Sequence, residues 1–268
     1  SLCVRAYLWR WACGSANCRC SCARIGLNPK THDVLIMKIL GLIPARGGSK
    51  SIPRKNIALL HGKPLIAYTC EAALKSTFLN RIMVSTDDKE IADVANKYGI
   101  EAPFLRPHEL ARDESGMREV IIHTLDFLEK SEQYVPEIIA LLQPTSPLRT
   151  AHHIDAAIAL LQKSGADCVV SVTEVPHQFI PTSLMVLENE RLKPYQKGPP
   201  FLRRQDKPRM YARNGPAILA FRRESFLKNK NFYEGDVHPF VMGPEESIDI
   251  DTPFDFELAE YFLHKKIP

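Results

Sequence analysis

Long apolar runs are missing from this 268-residue chain. No stretch approaches the roughly 18–20 consecutive apolar residues that a membrane-spanning helix needs, so a membrane partner is not expected. Cysteine is scarce where a fold would use it. Five of the seven lie in the first 36 residues, and after Met37 only Cys70 and Cys168 remain, which is no disulfide framework and suits a reducing compartment. The body of the chain also lacks net charge. Residues 1–36 set Arg5, Arg10, Arg19, Arg24 and Lys30 against Asp33 alone and so carry the whole formal charge of +4. From Met37 onward basic and acidic residues balance, which leaves no global cationic field and no expected nucleic-acid partner.

Two common phosphate-binding spellings are absent as well: G-x-x-x-x-G-K-[ST], and G-x-G-x-x-G running into a helix. There is no internal repeat, no low-complexity segment, and no Ser/His/Asp or Cys/His arrangement for a nucleophile. His152 and His153 begin a helix-like stretch without a third metal ligand at recognisable spacing and read as surface residues.

What is present is ordinary globular material, 45% hydrophobic and 25% charged. Its composition breaks near Met37. Three readings fit residues 1–36. They could hold a metal at Cys18, Cys20 and Cys22, although C-x-C alternation lacks the paired C-x-x-C blocks of a structural zinc site. They could be an Arg-rich, acid-poor transit peptide. The preferred reading is upstream sequence or a disposable extension, with the domain occupying 37–268.

From Met37 short apolar runs alternate with amphipathic stretches. Strands are predicted at 38–44, 81–86, 137–143 and 167–175, with helices at 63–76, from Asp88 to Gly99, at 116–130 and at 151–165. The alternation predicts a three-layer α/β/α fold around a mostly parallel, Rossmann-like sheet. Residues 176–246 have weaker periodicity and more Pro, Lys and Arg. They read as an irregular, partly antiparallel region lying over an active site or reaching a partner subunit. The chain closes on a helix.

In such sheets ligands sit outside the carboxyl ends of the strands. The loop "ARGGSKSIPRKN" leaves the first strand there: Gly47 and Gly48 allow close backbone approach to an anion, while Arg46, Lys50, Arg54 and Lys55 supply charge for several phosphate oxygens. A polyphosphate fits that loop. Near the other end, "SIDIDTPFDF" spaces Asp249 and Asp251 so that an extended backbone points both carboxylates to one face, a magnesium site that phosphate oxygens and water would complete. Asp251 could instead cap the helix that begins at Thr252 and Pro253.

The strings "IPARGGSKSIPRKNI", "VSTDD", "LLQPTSPLRT", "RRQDKPRMYARNGPAI" and "SIDIDTPFDFELAE", in that order from about Ile39 to Ala259, resemble the cytidylyltransferases that activate acidic sugars, above all CMP-N-acylneuraminate synthetases. The resemblance implies the nucleotide-diphospho-sugar transferase type of fold with a small dimerisation extension within 176–246. It also implies a homodimer or dimer of dimers, and a cytoplasmic reaction, or a nuclear one in an animal, between CTP and an acidic nine-carbon sugar with Mg2+ as cofactor. Arg46, Lys50 and Lys55 match positions that bind the triphosphate, Asn56 and Arg106 those that recognise cytidine, and Asp249 and Asp251 the metal ligands. Gln143, Arg204 and Asn214 match sugar-side positions. Phe232 and Tyr233 match an aromatic pair that reaches a neighbour's sugar site. Two departures stand out: "PAILAF" replaces the usual A-I-Y after the Asn-Gly pair, and "DESGM" places Glu114, Gly116 and Met117 where small or hydroxylated residues are usual. These leave open sialic, legionaminic, pseudaminic and octulosonic acids as the sugar. A silent nucleotide-binding scaffold and a glycosyltransferase are the competing classes.

Overall fold

The computed structural model of the chain describes residues 37–49, 51–112, 116–196, 203–229 and 231–266. Expectations placed on the leader, on Lys50 and on Glu114 lie outside these residues, as does the side chain of Arg204.

Strand β1 (Ile39–Pro44) is buried along its length. The loop after it passes a 3-10 turn (Lys55–Ile57) into a hairpin of β2 (Leu59–Leu60) and β3 (Lys63–Pro64), then helix α1 (Leu65–Leu74), β4 (Arg81–Ser85) and α2 (Lys89–Lys97). Next come α3 (Met117–Glu132), β5 (Ile138–Leu141), α4 (Ala151–Ser164) and β6 (Cys168–Glu174). A hairpin of β7 (Met185–Glu188) and β8 (Arg191–Pro194) follows, then β9 (Tyr211–Arg213), β10 (Leu219–Arg222), α5 (Arg223–Lys228), β11 (Val237–Val241) and α6 (Pro253–Lys266).

The central sheet runs β11-β6-β10-β5-β1-β4, with β9 paired to β6. Its β1–β4, β1–β5 and β6–β11 pairs are parallel. Alternation along β1 explains the layers. Ile39 and Ile43 pack with α1, α2 and α4 on one face, whereas Leu40 and Leu42 pack with α3 and with Phe226 of α5 on the other. A third, smaller cluster joins Leu60 and Leu65 to Ile250 and Ala259, so that α6 seats on the β2–β3 hairpin. Each side chain fully buried this way contributes about 1.5–3 kcal/mol of transfer free energy.

One strand departs from the sequence reading. β10 lies in the middle of the sheet, antiparallel to both β5 and β6, although it belongs to the stretch read as irregular overlay. It has four residues, of which Leu219, Ala220 and Phe221 are buried, so it shows no period-two alternation to read. Region 176–246 is therefore part covering and part core.

Candidate active site

The carboxyl ends of β1, β4 and β5 lie side by side, because Pro44 registers with Ser85 and Leu42 with Leu141. The β1 loop is tied to its neighbours there. Ala45 N–H donates to Ser85 O at 3.0 Å, Gly47 N–H to Asp87 Oδ1 at 3.1 Å, and Asn56 Nδ2 to Arg46 O at 2.9 Å. A Cβ on Gly47 would stand 2.7 Å from Asp88 Oδ2, so only glycine lets the loop lie this close to the acidic pair. Asp88 caps α2 through Glu90 N–H and Ile91 N–H. Its burial alone would raise its pKa, but those amides and Arg54 together hold it below the usual carboxylate range. Arg54, one of the four cations assigned to the phosphate, is thereby spent elsewhere: its Nη2 sits 3.1 Å from Asp88 Oδ2 and 2.8 Å from Glu90 Oε2.

A cavity of about 430 Å³ opens over these strand ends, lined by Arg46, Lys55, Asn56, Arg106, Gln143 and Asp251 among others. That volume lies in the range of small-molecule clefts, about 300–1,000 Å³. Arg106 is only 6% exposed. Its Nη2 lies 3.6 Å from Asp87 Oδ1, and neither Nε nor Nη2 has a hydrogen-bond partner. Burial pulls its pKa down, Asp87 opposes this and Arg46 adds to it. A buried guanidinium at the cavity lining, opposed by a single carboxylate, is a fixed cation there. Met117, the residue of the "DESGM" departure that begins α3, also lines this cavity.

The acidic wall comes from the other end of the chain. Ile250 is fully buried, its N–H donates to Thr145 O at 2.8 Å, and Asp249 and Asp251 flank it. Lys55 Nζ reaches across to Ile250 O at 2.7 Å and Asp251 Oδ1 at 3.1 Å. The capping alternative for Asp251 fails: Asp255 Oδ2 accepts from Thr252 N–H while Thr252 Oγ1 accepts from Asp255 N–H, so the helix start is satisfied without the Asp251 carboxylate. Asp249 is largely buried and its Oδ1 has no partner. Burial raises its pKa, the Thr145 hydroxyl opposes this, Asp251 raises it further, Lys55 lowers it and Asp255 raises it. An orphaned carboxylate oxygen beside two more carboxylates fits a hard divalent cation.

Gly215, at φ +94°, shapes that corner: a Cβ there would stand 2.4 Å from Asp249 Oδ2. Asn214 is buried and occupied within the fold, accepting from Ser171 Oγ at 2.6 Å and donating to Ser247 Oγ at 2.9 Å. The structure thus gives it to the frame behind Asp249 and not to the cavity. Phe232 likewise packs into the chain's own core, stacked on Phe226 at 5.4 Å and tilted to Phe221 at 5.5 Å. Of the aromatic pair only Tyr233 is exposed, with Arg213 over its ring at 4.4 Å.

A second cavity, about 820 Å³, lies over the carboxyl ends of β6 and β11 and is lined by His177, Gln205, Lys207, Arg209 and Met242 among others. Arg204 opens the 3-10 turn Arg204–Asp206 beside it. The two cavities share a wall: Thr145 lines the first, Asp249 binds Thr145 and abuts Gly215, and Asn214 touches Met242 of the second at 3.5 Å.

Three positioning residues carry no role in the sequence reading. Asp87 holds Gly47 and faces Arg106. Thr145 holds Asp249. Arg149 is 3% exposed, donates from Nη1 to Gln143 O at 2.9 Å and Ala217 O at 2.7 Å and from Nη2 to Thr69 Oγ1, and so fixes the end of β5. The strings "VSTDD" and "PTSPLR" contained all three, but their partners come from distant sequence.

The carboxyl-edge cradle and the facing carboxylates place the molecule in the nucleotidyltransferase class of α/β enzymes. The chain belongs to the cytidylyltransferase family, whose pattern matches residues 40–266. It is 39% identical over 230 residues to the CMP-N,N'-diacetyllegionaminic acid synthase of Legionella pneumophila, covering 85% of this chain and 97% of that protein. To the N-acylneuraminate cytidylyltransferase of Escherichia coli it is 37% identical over 237 residues, but it spans only about half (53%) of that relative's length. To the pseudaminic acid cytidylyltransferase of Campylobacter jejuni it is 33% identical, covering 84% of this chain and 95% of that one. Its fold is similar to that of CMP-2-keto-3-deoxy-manno-octonic acid synthetase solved with CTP, with TM-score 0.63, 18% identity, 86% of this chain and 100% of that chain. Among the described residues no helix is long and apolar enough to cross a membrane.

Proposed function

We propose that residues 37–268 form a catalytic domain that transfers the CMP unit of CTP to the anomeric hydroxyl of an acidic nine-carbon sugar, releasing pyrophosphate, with residues 1–36 outside the machinery. The observation that carries this reading is that Arg46, Lys55 and Arg106 line one cavity together with Asp251, whose neighbour Asp249 is bound to Thr145 of the same lining. The cations and Asn56 take the triphosphate and cytidine in the first cavity. Lys50, in the same loop, is assigned to the triphosphate as well. Gln143 and the Arg204 segment take the sugar toward the second cavity, with the reacting α-phosphate near their shared wall.

The hydroxyl oxygen attacks the α-phosphorus, the bond to the β-phosphate oxygen breaks, and the hydroxyl proton leaves to solvent or to a nearby carboxylate. Lys55 and Arg46 neutralise charge that grows on the departing pyrophosphate. Asp249 and Asp251 would hold Mg2+, which when bound polarises the α-phosphate oxygens. Lys55 keeps Asp251 oriented through Ile250 O and Asp251 Oδ1.

The β7–β8 hairpin supports a dimer. Its eight residues are all exposed, including Leu187 at 69% and Leu192 at 65%, and an isolated two-stranded hairpin is marginal in water without something to cover it. A second copy of the chain is the cover assigned here, bringing Tyr233 to the neighbouring sugar site. The reaction runs where CTP is supplied, in the cytoplasm or, in an animal cell, the nucleus. The test is pyrophosphate release with CTP and Mg2+, in parallel with N-acetylneuraminate, N,N'-diacetyllegionaminate, pseudaminate and 3-deoxy-octulosonate. Release that depends on one of the nine-carbon sugars is expected. Release with octulosonate alone, or CTP binding without release in any well, overturns the assignment.

A further inference from the structure

Outside the lining of the first cavity, between the β2–β3 hairpin and α6, two imidazoles and a carboxylate converge. His61 sits at the tip of the β2–β3 hairpin, and Glu260 and His264 stand four apart on α6, hence on one face of that helix. One ligand atom from each lies within 4.8 Å of the others, and this is the only such trio among the described residues. The rings of His61 and His264 meet edge to face with centroids 4.1 Å apart. His61 N–H donates to Glu260 Oε1 at 3.3 Å, which orients the carboxylate and leaves its other oxygen available.

The backbone places His61 deliberately. His61 and Gly62 have φ +48° and +74°, and Leu60 pairs with Lys63, so the tip is a two-residue turn with both central residues left-handed. Asparagine is the ordinary residue at its first position. Histidine tolerates the same conformation, and here it adds an imidazole facing α6.

We infer that His61, Glu260 and His264 bind a divalent ion of borderline softness, zinc foremost, with water completing a tetrahedron. Two imidazoles with one carboxylate select zinc, cobalt or nickel over magnesium, which prefers an all-oxygen shell. Ligand atoms around zinc at about 2.0–2.1 Å stand roughly 3.3 Å from one another, a closure within reach of side-chain rotation from the present spacing. Such an ion ties the hairpin to α6 above the cluster of Leu60, Leu65, Ile250 and Ala259. It therefore clamps together the two segments that carry Lys55 and Asp251.

The test uses the full chain, stripped with EDTA and treated with iodoacetamide under native conditions, so that Cys3, Cys13, Cys18, Cys20 and Cys22 of the leader do not compete for metal. Zinc is titrated calorimetrically, and cobalt(II) is followed by its visible d–d bands, with H61N, which keeps the turn, and H264Q, an exposed position, as comparisons. One equivalent of zinc, nitrogen/oxygen-type cobalt bands and a zinc-dependent rise in Tm are expected for the parent, each lost in both variants. No uptake by the parent, or equal uptake by the parent and H264Q, overturns the site. Pyrophosphate release is assayed separately, so the failure of this proposal is distinct from failure of the catalytic reading.

Discussion

The two cavities along the sheet edge differ in how finished they are. Around the first, loop, strand ends and acidic wall are locked by bonds between distant parts of the chain, and Arg106 lies buried beside Asp87. Around the second, the walls come from exposed segments: Gln205, Arg209 and Val241 face solvent, and the β7–β8 hairpin is uncovered throughout. Under the proposed function the first would take the nucleotide, which is common to the reaction and suits a rigid site. The second would take the sugar, the part that varies, on a surface that the proposed dimer would complete.

The contrast can be broken, beginning at its joint. Asp249→Asn is expected to lower turnover by about 10²–10³-fold, read as pyrophosphate release. The same variant should be more heat-stable than the parent at neutral pH without metal. Because burial raises the Asp249 pKa in the folded state, its contribution is fully favourable below the ordinary carboxylate range and is lost as pH rises through that raised value. Asparagine removes that penalty, and Mg2+ should narrow the gap by stabilising only the parent. Equal melting of parent and variant across pH would show that Asp249 is not strained by burial.

Lys55→Ala should cost about 10²-fold in kcat/KM for CTP, with the fold retained by circular dichroism. A near-normal rate would remove the lysine from the site. A smaller effect is expected from Leu187→Ser with Leu192→Ser: sedimentation should show the particle mass halved, with CTP binding kept and the sugar KM raised. An unchanged mass would mean that the hairpin is not the interface. The smallest effect belongs to Arg54→Ala, which should leave KM for CTP within about twofold, because its partners are Asp88 and Glu90. A large rise would return Arg54 to the phosphate.

The first cavity was largely legible in the sequence. A buried strand followed by paired glycines and clustered cations has few other uses, and Lys55, Asn56 and Asp251 of those strings line one cavity with Arg106, which only the resemblance had pointed to. The illegible parts depend on pairings across long stretches. Asp87 matters because Gly47 lies against it from 40 residues away, and Arg149 because Ala217 supplies a carbonyl from 68 away. β10 escaped because a short strand covered on both faces carries no alternation. Asn214 and Phe232 were matched to sugar contacts by position, whereas their side chains answer to local packing: an amide between two serine hydroxyls, and a ring among two phenylalanines. Identity at a position is written in the string; the direction a side chain faces is not.

The bond from Lys55 Nζ to Ile250 O spans 195 residues of sequence. During synthesis the cationic loop emerges 195 residues ahead of its acidic counterpart at the start of α6. A nascent chain can therefore fold strands of its sheet and still lack the acidic wall of the first cavity. The two walls of the first cavity meet only when α6 docks on the hairpin, so that one packing event closes the cavity.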